Sequence, residues 1–328
     1  MTDLVKVRDL SVIYPRPRRS GGPLNAVRGV DLTVCHGETV GLVGESGSGK
    51  STIGSALLGL VPAAAGTITF DGADITRASR TDRRSLARRM QVVFQDPYGS
   101  MNPAHTVGDT LAESLRYNLA LPSEEIQARV LRALDDVGLP PGAARRHPAA
   151  FSGGQRQRIA IARALVMEPD FVVCDEAVSA LDLSVQAQVL NLLARLKGTR
   201  GLSYLFISHD LAVVRYLSDS IVVLYAGRVV ERGPAALVAD SPAHPYTRAL
   251  LAAAPVPDPT AQLARRTERL RATAPTPATP GRPGTGCDFA ARCPFVQDIC
   301  RTTRPELTDQ GGVSVACHRY EHVIARAA

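Results

Sequence analysis

Hydrophobic positions in this chain come in short runs broken by glycine, proline and charge, the pattern of buried strands alternating with helices. Glu38-Thr39-Val40-Gly41-Leu42-Val43 is β-branched and apolar and predicts a short buried strand, with a helix from Ser51 to Leu60 behind it. Phe171-Val172-Val173-Cys174 places four apolar residues in a row, as a central parallel strand buried on both faces requires. Apolar runs near 204–208 and 221–225 predict two more strands, and Gly227 marks a hairpin turn. From about 100 to 165 the pattern turns helical; Gly108 falls near the start, and Thr110 to Leu119 suits a helix better. Residues 4–95 are expected to hold an antiparallel β portion and the first half of an α/β core. Past residue 240 the pattern changes. A short apolar helix, Arg248 to Ala254, is followed by seven prolines within 255–286, an extended and poorly helical stretch. The expected organisation is therefore an α/β unit over 1–240 and an appended segment over 241–328.

Chemistry gathers at the ends of these strands. Gly44-Glu45-Ser46-Gly47-Ser48-Gly49-Lys50-Ser51 fits the G-x-x-x-x-G-K-[ST] phosphate loop without a gap and sits between predicted strand and helix. Its glycines let backbone N–H groups turn toward phosphate oxygens at a helix N-terminus. Lys50 is placed to reach the β- and γ-phosphates and Ser51 to ligate Mg²⁺, with Thr52 following in the ATP-binding segment. The alternative is a Gly/Ser-rich turn opening an ordinary helix. Asp175 and Glu176 end the apolar strand at the carboxyl edge of the sheet, where ligands bind in such folds. Asp175 is suited to hold Mg²⁺ through water and Glu176 to act as general base on an attacking water.

Ser152-Gly153-Gly154-Gln155 resembles the signature motif of ATP-binding cassette (ABC) proteins. Gln95, within Val92-Val93-Phe94-Gln95-Asp96-Pro97, resembles the family's Q-loop glutamine. Ser179-Ala180-Leu181-Asp182 is similar to its D-loop, and His209, in Phe206-Ile207-Ser208-His209-Asp210, to its switch histidine. The motifs follow the family's order, and the resemblance covers roughly residues 4–240. It implies a P-loop ABC nucleotide-binding domain with antiparallel β and helical subdomains. It also implies that two cassettes pack head to tail, so that Ser152, Gly153 and Gly154 face ATP held by the partner. Gln95 would touch Mg²⁺ and the attacking water, and His209 the γ-phosphate. Tyr14 falls where the family places an aromatic that stacks on adenine; the alternative is an ordinary strand-end tyrosine. Ala177 departs from the proline many cassettes carry after the paired carboxylates, and hydrolysis is expected to survive the change.

The formal charge of +7 raises nucleic acid as a partner, through clusters at Arg16, Arg18 and Arg19, at Arg83, Arg84, Arg88 and Arg89, and at Arg145 and Arg146. No recognised nucleic-acid module accompanies them, and none is expected to bind. The same charge suits a protein beside an anionic membrane leaflet. The apolar fraction of 45% is ordinary, no run reaches the length of a membrane helix, and no secretory leader is apparent. A peripheral subunit at the cytoplasmic face of the membrane is expected.

The segment after 240 opens with Ser241-Pro242-Ala243-His244-Pro245-Tyr246-Thr247 and continues through a Pro-x-Pro-x-Pro at 255–259. It is similar to the C-terminal extension of ABC subunits that energise oligopeptide, dipeptide and nickel import. The alternative is a proline-rich tail that says nothing of cargo. Cys287, Cys293, Cys300 and Cys317 fall in it with spacing C-x5-C-x6-C-x16-C, while Cys35 and Cys174 stand alone. A cytosolic setting favours metal over disulfides. Four thiolates suit a [4Fe–4S] cluster or tetrahedral zinc, or hold no metal. Related importer subunits carry a similar four-cysteine pattern that can hold [4Fe–4S], and the cluster is preferred. The resemblance implies an ATPase driving uptake of oligopeptides or dipeptides. Its partners would be a second, paralogous cassette in a heterodimer, two permeases and, indirectly, an extracytoplasmic solute-binding protein. Import of nickel or another small solute, and a soluble regulatory ABC ATPase, are the alternatives.

Overall fold

The computed structural model describes residues 2–15, 22–96, 99, 101–253 and 285–325. Arg16, Arg18 and Arg19, Pro97, and nearly all of the proline-rich stretch, including the 255–259 repeat, lie outside the described residues.

Among the described residues the strands form two sheets. In the smaller, β1 (Asp3–Tyr14) lies antiparallel between β2 (Leu24–Cys35) and β4 (Ala65–Phe70), with the short β5 (Ala73–Asp74) at its edge. Val5 and Val7 face inward by simple alternation, and the next inward residues are Leu10 and Val12. The extra residue is absorbed by a register shift between Val7 and Leu10, where Asp9 adopts φ 47° and its N–H donates to Asp31 Oδ1 at 2.9 Å. This bulge keeps one face of a long strand apolar.

The larger sheet is parallel through its centre. Adjacent in it are β9 (Ser220–Tyr225), β3 (Thr39–Val43), β8 (Ser203–Ser208), β7 (Phe171–Asp175) and β6 (Met90–Val93). β3 and β8 are buried along their whole length, as strands covered on both faces must be. Val173, Leu205 and Ile207 pack toward α1 (Lys50–Leu57) and the smaller sheet. Their alternates Val172, Cys174, Tyr204 and Phe206 join the second core. That core is shared with α3 (Val107–Asn118), α4 (Ser123–Asp136), α5 (Gly153–Leu165), α6 (Leu183–Arg200) and α7 (Leu211–Leu217). The fold is thus α/β, as expected.

Helix boundaries follow side-chain caps more closely than hydropathy. α3 begins three residues ahead of the expected Thr110, because the Thr106 hydroxyl accepts the Asp109 N–H at 3.1 Å. Asp182 and Asp210 cap α6 and α7 in the same way. Between α1 and α3 runs α2 (Arg80–Arg89). β9 turns at Gly227 (φ 81°) into the antiparallel β10 (Arg228–Pro234), followed by α8 (Ala235–Asp240).

The C-terminal residues are built onto this sheet. β12 (Ser314–Val315) pairs with β10, and β11 (Thr308–Asp309) pairs with β12. Helix α9 runs Pro245–Ala253, starting earlier than the expected Arg248, since His244 Nδ1 accepts the Tyr246 N–H at 3.0 Å and proline is tolerated in a first turn. Among the described residues no helix is long and apolar enough to cross a membrane.

Candidate nucleotide site and cysteine module

The carboxyl ends of β3, β7 and β8 deliver the predicted chemistry to one edge of the sheet. β3 runs into the loop Gly44–Gly49, and α1 starts at Lys50. Gly49 sits at φ 104°, and a Cβ there would lie 2.4 Å from the Ala26 carbonyl oxygen, so the loop tolerates only glycine at that point. Lys50 is nearly fully buried and its Nζ donates to the carbonyls of Gly44 (2.7 Å) and Glu45 (2.9 Å). Burial pushes the Lys50 pKa down, against the raising effect of Glu176, Asp175 and Glu45. A buried cation held by two carbonyls among carboxylates is ready for an anionic ligand.

Ser51 Oγ donates to Asp175 Oδ1 at 2.8 Å, joining the loop helix to the end of β7. Burial raises the Asp175 pKa and the Glu176 charge adds to it, opposed by the Ser51 hydroxyl and Lys50. An added cation would relieve both carboxylates, and hydroxyl with carboxylate oxygen is the donor set hard divalent cations prefer. Glu176 holds φ 49°, with its N–H donating to the Ile207 carbonyl at 3.0 Å. Its Oε1 lies 3.7 Å from Nδ1 of His209, which follows β8. Gln95 Nε2 donates to Ser179 Oγ at 3.1 Å, and Ser179 Oγ donates to the Glu176 carbonyl at 3.0 Å. One bonded chain therefore links Gln95, Ser179 and Glu176. Ala177 is buried inside the turn, and the Ser179 N–H closes that turn onto the Glu176 carbonyl at 3.1 Å.

Tyr14 ends β1 beside the loop helix, its hydroxyl 3.5 Å from Thr52 Oγ1. Ser152–Gln155 form the start of α5, largely exposed. Ser152 Oγ accepts the Gln155 N–H at 3.3 Å while Gln155 Oε1 accepts the Ser152 N–H at 3.1 Å, a reciprocal capping box. Gly154 packs on α6: a Cβ would lie 2.3 Å from Val185 Cγ1. The D-loop, with Ala180 and Leu181, runs from Ser179 to the cap of α6 at Asp182, whose Oδ1 accepts the Val185 N–H at 3.0 Å.

Two residues that local pattern did not single out also belong to the loop. The Glu45 N–H donates to the hydroxyl of fully buried Tyr246 at 2.7 Å, and the Glu45 carboxylate takes a two-pronged contact from Arg292. The only local signal was Tyr246 within His244-Pro245-Tyr246-Thr247.

Cys287, Cys293, Cys300 and Cys317 are unpaired and line one small cavity together with His244, Phe289 and Phe295. The Cys287 N–H donates to the Cys300 carbonyl at 2.8 Å, which joins two of the four through backbone. Burial raises the thiol pKa of Cys287, pushes that of Cys293 to about 12 and that of Cys317 to about 11. Among the described residues no three His, Cys, Asp or Glu side chains stand as a preformed set around one metal ion. His318 also lines this cavity, its Nε2 3.0 Å from the Thr303 carbonyl oxygen.

Sequence comparison places these features in a family. The model described as ABC transporter matches residues 27–179, and that of the oligopeptide/dipeptide transporter C-terminal region matches 230–300. A Brucella ovis protein named for peptide import ATP binding is 49% identical over 321 residues, covering 97% of this chain and 98% of its own. The chain belongs to the ABC transporter family. A second such relative, from Brucella abortus, is 49% identical over 319 residues, with 97% and 92% coverage. Among solved structures, cbiO1 from Clostridium perfringens, part of the ABC transporter complex cbiONQ, superposes with TM-score 0.65 at 30% identity. The match covers 73% of this chain and 91% of cbiO1. A dimeric ATP-binding cassette in a post-hydrolysis state with ADP and Pi gives TM-score 0.63 at 27% identity, covering 70% of this chain and 98% of that one. As an ABC cassette, the protein is an ATPase.

Proposed function

We propose that this ABC ATPase powers import of oligopeptides or dipeptides across the cytoplasmic membrane through partner permeases. The observation that carries it is the meeting of Lys50, Ser51, Asp175, Glu176 and His209 at one sheet edge, in a chain whose 230–300 segment matches the oligopeptide/dipeptide transporter C-terminal region. Lys50 binds the β- and γ-phosphates, and Ser51 with Asp175 and Gln95 holds the Mg²⁺ that accompanies ATP, whose adenine Tyr14 stacks against. Glu176 takes the proton of a water attacking the γ-phosphorus; the bond to the β-phosphate oxygen breaks and ADP leaves. The contact of His209 with Glu176 orients that carboxylate and places the imidazole for the γ-phosphate. The chain from Gln95 through Ser179 to the Glu176 carbonyl would carry permease position to the general base.

The exposed N-terminus of α5 at Ser152–Gln155 faces the ATP of a second cassette, a paralogue in a heterodimer. Two permeases and an extracytoplasmic binding protein complete the assembly, at whose cytoplasmic face the chain sits peripherally, without nucleic acid. Residues 1–240 form the nucleotide-binding domain, with a helical subdomain at about 100–165, and 241–328 the extension. At the four cysteines that line this cavity a [4Fe–4S] cluster is preferred to zinc, because their C-x5-C-x6-C-x16-C spacing lacks the paired C-x₂₋₄-C knuckles of zinc ribbons. Cys287, Cys293, Cys300 and Cys317 would hold that cluster, which when bound staples the ends of the extension together. Anaerobic co-expression with the neighbouring permeases tests the assignment. Co-purification, with ATPase abolished by Glu176→Gln, supports it; a chain that stays alone with unchanged ATPase contradicts it.

A further inference from the structure

The stretch between the first two module cysteines, residues 287–293, is built against the phosphate loop. Arg292 directly precedes Cys293. Its Nη1 donates to Glu45 Oε2 at 2.8 Å and its Nη2 to Oε1 at 2.7 Å, a bidentate pair between residues 247 positions apart. Glu45 is held on its other sides as well. Its N–H donates to Tyr246 at 2.7 Å, and its carbonyl accepts from Lys50 at 2.9 Å. The Arg292 guanidinium lies 5.5 Å over the Phe289 ring, which packs 5.5 Å from Tyr246 and 5.3 Å from Tyr225. Phe289, almost fully buried, lines the same cavity as the four cysteines.

A second route runs from the same stretch to the far side of the loop. Asp288 Oδ1 accepts from Arg28 Nη1 at 3.1 Å. The Arg28 N–H donates to the Gly227 carbonyl at 2.8 Å, and the Gly227 N–H donates to the Ser48 carbonyl at 2.9 Å. Glu45 and Ser48, near the two ends of the loop, are therefore each tied to residues 288–292. In the G-x-x-x-x-G-K-[ST] pattern both stand at unconstrained positions, so their contacts can be specific to this chain without disturbing the phosphate contacts.

The geometry points to Arg292 as a positioning residue for ATP: through Glu45 it braces the phosphate loop, making ATP affinity depend on the cysteine module. This deepens the proposed function and rests on residues 44–51 being the phosphate loop. A braced loop spends less conformational freedom when it closes on phosphate, so loss of the brace weakens binding while the phosphate donors remain. Both side chains of the pair are about half exposed, at 51% and 43%, so solvent screens it. Bidentate geometry restores part of its strength. The expected loss is therefore modest, about three- to tenfold in the dissociation constant. By reciprocity ATP must also steady the module.

The test is titration of the full-length chain with a fluorescent N-methylanthraniloyl ATP. Arg292→Gln, Glu45→Gln, their double variant and Arg292→Lys are compared, each checked by circular dichroism. Arg292→Gln and Glu45→Gln should each raise the dissociation constant about three- to tenfold, with the double variant no worse than the weaker-binding single one. Arg292→Lys, which keeps charge without the fork, should fall between. Hydrogen exchange supplies a readout independent of affinity: saturating ATP should slow amide exchange over 287–293 in the native chain and not in Arg292→Gln. Unchanged affinity in a folded Arg292→Gln protein overturns the inference, as do additive losses in the double variant or no ATP effect on 287–293. Lys50→Ala separates the two levels. If it abolishes binding while Arg292→Gln is silent, only the brace fails; if it too leaves binding intact, the phosphate-loop assignment itself fails.

Discussion

Glu231 is a carboxylate with no solvent exposure, and removing it should loosen the whole C-terminal attachment. It sits on β10, with Oε1 accepting the Ala243 N–H at 2.7 Å and Oε2 the His244 N–H at 2.9 Å. Those two donors lead into α9 and so into Tyr246 beneath the phosphate loop. Glu231→Ala leaves both buried N–H groups without their acceptor, at about 1–3 kcal/mol each. Part of that is returned, because a buried carboxyl no longer has to be desolvated; burial is the main reason its pKa is raised. A net loss of about 2–4 kcal/mol follows, or a fall of about 3–6 °C in the thermal midpoint for a chain of this size. Glu231→Gln keeps one acceptor and should lose about half as much. The pH dependence has a definite sign. With its folded pKa raised above the unfolded value, wild type loses the Glu231 contribution as pH climbs from the unfolded pKa through the folded one. The Gln variant does not, so the gap between them should narrow with rising pH. Scanning calorimetry of the three proteins from pH 4 upward measures this. Midpoints within about 1 °C of wild type for both variants would refute the anchoring role.

Three further outcomes are expected. Gly154→Ala drives a methyl to 2.3 Å from Val185 Cγ1 and should lower ATPase about tenfold or more in the assembled transporter, with partial rescue by Val185→Ala. Ser179→Ala cuts the chain between Gln95 and the Glu176 carbonyl; kcat should fall several-fold while the ATP dissociation constant stays within about twofold, as paired ATPase and binding titrations will read. On the cluster proposal, anaerobically purified protein should show a broad visible absorbance that Cys300→Ser abolishes while lowering the thermal midpoint, whereas Cys35→Ser, remote in the cassette, should do neither.

The site was legible where its chemistry is local. A strand, a glycine loop and a lysine occupy consecutive residues, so the phosphate loop could be placed before any fold was known. Asp175 and Glu176 were readable for the same reason, since an apolar strand ending in paired carboxylates states its own orientation. Glu45 shows where local reading stops. In the loop pattern it fills an unconstrained place, yet its carboxylate and N–H are taken by Arg292 and Tyr246, 247 and 201 residues away. Such pairings are set by tertiary packing and leave no periodicity. β12 is only two residues long, too short to show alternation, and so its addition to the main sheet could not be read from hydropathy. The start of α9 was misplaced because His244 caps it with a ring nitrogen, a device outside the usual Ser, Thr, Asp and Asn signals.

The most direct test of the central claim is peptide-stimulated phosphate release in vesicles holding this chain with the proposed second cassette, permeases and binding protein. The account predicts release that rises when peptide is added and falls to background with Glu176→Gln, while ATP binding persists. Peptide-independent release, or release that survives Glu176→Gln, would contradict it.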